Sequence, residues 1–106
     1  MNERPIDLRM WRQFLAVAQE LHFGRAARSL HMTQPPLTQG IAQLESVLGV
    51  RLFERNKRSV RLSVGGAALL PQVRDLLSRA QALPAMARAA ADGEAGRLRL
   101  AFVSTV

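Results

Sequence analysis

Gln34, Thr38, Gln39 and Gln43 crowd four uncharged hydrogen-bonding side chains into one short stretch of an otherwise strongly basic chain. Gln34 and Thr38 are four residues apart, as are Gln39 and Gln43, so on a helix each pair stacks on one side. Their chemistry is that of reading base edges. A glutamine amide can make a paired contact to adenine, and a threonine methyl can meet the methyl of thymine. A second set of residues is cationic. Arg51, Arg55, Lys57, Arg58 and Arg61 lie close together with Glu54 as the single acid among them, and Arg25 and Arg28 are spaced to point the same way. Guanidinium forks match phosphate geometry. Each of these side chains alone could be solvated surface; their joint placement points to DNA.

The charge balance agrees. Lys and Arg total 15 against 8 acids, for a net charge of +7 and a pI near 11.7. Such a chain seeks a polyanion, nucleic acid before a membrane surface. Arg-heavy usage can also follow genome composition, so the placement of the cations carries more weight than their number. There is no cysteine, which removes disulfides, thiolate nucleophiles and thiolate-bound metals, and fits a reducing cytoplasm. His22 and His31 lack companions at metal-ligand spacing. The acids are scattered, and Gly65-Gly66 lacks the pattern of a phosphate-binding loop. No enzyme chemistry, cofactor or metal is supported. No apolar run nears membrane-spanning length, and the first five residues lack the core of a signal peptide. A soluble cytoplasmic protein is expected.

The elements that must position these groups are mostly helical. A first helix starts at Asp7, a capping residue, and runs an apolar stripe through Leu8, Trp11, Phe14, Leu15, Ala18 and Leu21. A short second helix is predicted with Gly24 as its cap and with the small residues Ala26 and Ala27 allowing a close crossing. Thr33 caps a third helix, in which Pro35 and Pro36 occupy the first turn, where a missing amide hydrogen costs little. Leu37, Ile41, Leu44 and Leu48 form its buried face, and Gly49 stops it. The glutamines and Thr38 must therefore face elsewhere. Leu52, Phe53, Val60 and Leu62 flank a polar tip, Asn56 to Ser59, and predict a two-stranded wing. An Arg at such a tip can enter a narrow minor groove.

Ser63 caps a fourth helix running to about Asp92. Leu69, Val73, Leu76, Ala80, Leu83, Ala87 and Ala90 recur at alternating spacings of four and three, the seam of a coiled coil. Left bare, that seam exposes apolar surface to water, and a second copy of the chain is the economical cover. Pro71 and Pro84 should bend this helix. Residues 92–96 read as a hinge, and the alternation of Leu98, Leu100 and Phe102 reads as a strand opening a further domain. The expected organisation is a winged helix-turn-helix over 1–63, a dimerisation helix over 64–92, and a hinge with a first strand over 93–106.

Phe23-x-Arg25-Ala26-Ala27, Leu30-x-Met32-Thr33-Gln34-Pro35-Pro36-Leu37-Thr38 and Leu44-Glu45-x-x-Leu48-Gly49-Val50-x-Leu52-Phe53-x-Arg55 resemble the N-terminal region of LysR-type transcriptional regulators. The likeness continues through Leu62-Ser63-x-x-Gly66 and Gly96-Arg97-Leu98-Arg99-Leu100. It implies a mainly α, winged helix-turn-helix fold followed by a linker helix that pairs antiparallel with its twin. It also implies tetramers on partly palindromic promoter DNA, a small-molecule effector bound by a separate domain, and RNA polymerase as a further partner. The resemblance places base reading on Gln34, Pro35, Thr38 and Gln39, minor-groove contact on Arg58, and the edge of an effector pocket on Ser104 and Thr105. Gln39 stands where many relatives carry Arg, and Gly40 where they carry a long polar residue. A winged-helix module that docks protein rather than DNA, with the basic wing on an acidic partner, is the alternative from a different class.

Overall fold

Residues 5–104 are described by the structure, a computed structural model, with side chains as far as residue 94. The chain forms α1 (Leu8–Glu20), α2 (Phe23–Ser29), α3 (Gln34–Leu48), β1 (Phe53–Arg55), β2 (Val60–Leu62) and α4 (Val64–Ser104). Phe14, Val17, Leu37, Ile41, Leu44, Leu52 and Phe53 are fully enclosed at the centre. Phe53, from the wing, packs tilted against Phe14 of α1 at 5.5 Å between ring centres and meets Phe23 of α2 edge-on at 6.3 Å. The wing is therefore rooted in the same core as the helices.

Local chemistry sets the ends of the helices. The Asp7 carboxylate accepts from the Met10 amide at 3.0 Å, as predicted. The predicted stripe of α1 holds at its centre, where Phe14 and Ala18 are buried and Trp11 and Leu15 pack on the core, while its ends Leu8 and Leu21 are exposed and Met10, Ala16 and Val17 widen the buried face. The cap of α2 is His22, not Gly24; the imidazole Nδ1 accepts from the Arg25 amide at 3.0 Å. Gly24 instead leaves room for that ring, since a Cβ there would lie 3.0 Å from His22 Cε1. His31 turns the chain from α2 into α3 with a left-handed φ of 57°, and the Met32 amide donates back to the Ala27 carbonyl at 3.0 Å. Gly49 ends α3 in the left-handed region, as predicted.

The two strands pair antiparallel with Phe53 opposite Leu62 and Arg55 opposite Val60. The wing leads straight into α4, whose first turn is capped by the Ser63 hydroxyl accepting from the Gly66 amide at 3.0 Å. Gly66 is required by close approach, because a Cβ there would collide with the Leu52 carbonyl oxygen.

α4 contains both expected prolines and departs from expectation in two other ways. Its 41 residues pass through Pro71 and Pro84. Each proline removes one amide donor, and both lie on the exposed side of the helix, where water can serve the freed carbonyl. The seam is also divided. Val73, 3% exposed, is buried in its own domain beside Leu77, which the predicted seam omitted, and Leu69 is half-buried there. Leu76, Leu83, Ala87 and Ala90 are exposed and Ala80 is half-buried. Finally, the predicted end near Asp92, the hinge and the strand are replaced by helix through Ser104. A strand needs a neighbour for its amides and carbonyls. Among the described residues the only sheet is β1–β2, so this segment bonds within itself. Ser104 thus ends a helix, and Thr105 lies outside the described residues. No helix among the described residues is long and apolar enough to cross a membrane.

Candidate nucleic-acid interface

Burial of Leu37, Ile41 and Leu44 leaves the opposite side of α3 in solvent. Gln34, Pro35 and Gln39 are exposed there and Thr38 is half-buried, so the structure brings these four together on one ridge, while exposed Gln43 lies on its α1 side. Gln34, Pro35, Thr38 and Gln39 line one shallow depression. The helix enters this ridge from Thr33, whose extended backbone occupies the cap position while its hydroxyl makes no cap bond. Pro35 and Pro36 follow Gln34 and carry no amide hydrogen, so the Thr33 hydroxyl has no donor to cap at those positions and stays free.

The wing tip is organised by one side chain. Asn56 Oδ1 accepts from the amides of Arg58 at 2.8 Å and Ser59 at 2.9 Å. The Asn56 amide in turn donates to the Ser59 carbonyl at 3.0 Å. This tight turn lifts Lys57 and Arg58 into solvent, with no ion pair to either among the described residues. Lys57, Arg58 and Asn56 share a second depression with His22, Gly24 and Gln34. Gln34 belongs to both depressions, so the neutral ridge and the cationic tip form one continuous surface.

Three predicted site cations behave differently. Arg55 is held at the base of the wing, its side chain 27% exposed. Its guanidinium pairs with Glu45 at 3.4 Å and lies 4.9 Å from the centre of the Phe23 ring. It is part of the fold, because the apolar base of the wing gives it an anion and an aromatic face at once. Arg25 is exposed but leans on Glu20, its Nε 3.5 Å from the carboxylate. Arg28 is exposed with no ion pair among the described residues.

Glu45 was missed as an organising residue. Its Oε2 accepts from the Leu52 amide at 2.7 Å and the Phe53 amide at 3.3 Å, and its other oxygen takes Arg55. One carboxylate thereby fixes the wing to the end of α3. No spacing announces this, because its partners lie beyond the Gly49 turn; a lone acid on a neutral helix was the available signal.

A helical trio carrying an outward polar ridge, with a two-stranded cationic wing beside it, defines a winged helix-turn-helix of the nucleic-acid-binding class. The model of the bacterial regulatory helix-turn-helix protein, lysR family, matches residues 8–67, and this chain belongs to that family. It is 52% identical over 100 residues to the HTH-type transcriptional regulator IlvR of Caulobacter vibrioides, an alignment covering 94% of this chain and 34% of that protein. The chain thus spans about a third of the length of the curated relatives it matches. Among solved structures it is similar to the CbnR DNA-binding domain in complex with DNA, at 38% identity and a TM-score of 0.77 over 81% of this chain and 99% of that one. The BenM DNA-binding domain with benA site 1 DNA gives 36% identity and a TM-score of 0.78, over 81% and 97%.

Proposed function

We propose that this chain is the DNA-reading and pairing part of a transcriptional regulator that binds partly palindromic promoter DNA. α3 lies in the major groove with Gln34, Thr38, Gln39 and Gln43 sampling base edges and Pro35 in apolar contact. Lys57 and Arg58 take the flanking backbone or minor groove, and Arg28 and Thr33 take phosphates. The observation that carries this reading is that Gln34 is shared between the ridge and the cationic wing groove, so one duplex can meet both at once.

Pairing is proposed for the rear of α4. Leu83 and Met86 are 60% and 63% exposed, and Leu76 is exposed about two turns earlier. Such a bare stripe is suited to a second copy of the same helix. Two reading helices then want half-sites near one DNA turn apart, or a multiple of it. A cytoplasmic location, tetramer formation, contact with RNA polymerase and control by a small-molecule effector belong to the same proposal for the whole regulator; no cofactor is assigned.

The test is a fluorescence titration at physiological salt with a partly palindromic duplex enriched from a random library and with its scrambled version. The selected duplex binds far more tightly, and Gln34→Ala with Thr38→Ala erases the preference, each lost base contact costing roughly 1–3 kcal/mol. Equal affinity for both duplexes rejects sequence reading.

A further inference from the structure

A third groove continues the track on the far side of the ridge, between α1 and α3. It is lined by Arg9, Arg12 and Gln13 of α1 and by Gln39, Gly40 and Gln43 of α3. Gln39 belongs to this groove and to the reading depression, as Gln34 belongs to the reading depression and the wing groove. A duplex lying along the ridge therefore meets the wing at one end and this groove at the other.

Gln13 makes the groove unusual. It is the one polar residue of the described core, 9% exposed. Its carboxamide has no hydrogen-bond partner among the described residues, yet no unpartnered side-chain nitrogen or oxygen there is sealed from solvent. The amide must therefore open onto the groove it lines. Gly40 permits this placement. A Cβ on Gly40 would collide with Gln13 Oε1 and lie 3.1 Å from its Cδ, so the α1 amide fills the volume that a side chain at position 40 would occupy. Arg12 is exposed beside it without an ion pair among the described residues, and Arg9 has only a long contact of 4.0 Å to Asp7.

We propose that this groove is a phosphodiester site, in which Gln13 and Arg12, with Arg9 at the rim, take one backbone phosphate of the duplex; it rests on the DNA-reading role proposed above. When DNA covers the groove, an unpaired amide loses its last water, and that loss is unfavourable unless the ligand supplies an acceptor. A phosphate oxygen is such an acceptor, and it carries the charge that two guanidinium groups attract. Gly40 thus lets α1 contribute a polar group to the flank of α3.

The experiment measures affinity of the full chain against salt for the wild type, Arg12→Ala and Gln13→Met, on the selected duplex and on its scrambled version. Single neutral methylphosphonate linkages are then walked along the selected duplex. Arg12→Ala flattens the dependence of log K on log salt by about 0.9. Gln13→Met, which keeps volume, weakens both duplexes about tenfold. One neutral linkage flanking the half-site weakens the wild type and has no further effect in Gln13→Met. Arg12 is exposed, so its variant tests the site without disturbing the core, and thermal melting checks Gln13→Met. An unchanged slope in Arg12→Ala, or neutral linkages that weaken wild type and Gln13→Met equally at every position, overturns the site. If the wild type still prefers its selected duplex, only this site fails; if it prefers neither, the DNA-reading role fails with it.

Discussion

The base and the tip of the wing carry arginines three residues apart, and the two have opposite fates. At the base, Arg55 is spent on the protein: Glu45 and the Phe23 ring hold it, and Glu45 also takes the amides of Leu52 and Phe53. At the tip, Asn56 bonds the backbone of the turn and leaves Arg58 pointing outward. Charge alone does not distinguish them. What separates them is whether the fold brings an anion and an aromatic face within reach. Free charge sits where the Asn56 side chain satisfies the turn, so the tip cations have nothing left to hold inside the protein.

Replacing Glu45 breaks this contrast most severely. Its side chain is 11% exposed, and Glu45→Ala leaves a half-buried guanidinium and two amides without their acceptor. Chemical denaturation should show a loss of about 2–4 kcal/mol, chiefly from two part-buried amides that lose a charged acceptor. Arg55→Ala comes next. It removes the ion pair and the ring contact but leaves the amide bonds of Glu45, so stability falls by about 1–3 kcal/mol. DNA affinity at a temperature well below melting changes little, and a large fall there with unchanged stability would move Arg55 back to the interface. Arg58→Ala has the smallest effect on folding, within about 0.5 kcal/mol. Its effect lies in binding: all duplexes weaken together, and the salt slope drops by about 0.9 in an anisotropy titration. A loss confined to the selected duplex would instead make Arg58 a base reader.

α4 repeats the same division along a single helix. Its front buries Val73 and Leu77 against α1 and the core, while its rear exposes Leu83 and Met86. The alternating apolar spacing is blind to this difference, because an apolar stripe is equally satisfied by its own domain or by another chain. The helix-turn-helix, the wing and the reading ridge were legible for a related reason. Leu37, Ile41 and Leu44 fall at one helical period, and burying them leaves only one direction for Gln34, Thr38 and Gln39. The role of Glu45 and the place of Gln13 were not legible, since each depends on partners brought near by folding rather than by spacing; the cap of α2 is local, His22 to Arg25, and escaped because histidine is not among the preferred capping residues. The strand read from the alternation of Leu98, Leu100 and Phe102 failed on the same ground as the seam: alternation describes a face, whereas a strand also needs a neighbouring backbone.

From the order of residues alone follow the positions of α1 to α3, the wing, the stop at Gly49 and the solvent side of α3, because apolar periodicity and capping act over a few residues. Which arginine is free, which part of α4 is bare, and which amide waits unpaired beside Gly40 were settled by packing. Those outcomes depend on distances between segments far apart in the chain, and no local pattern encodes such a distance.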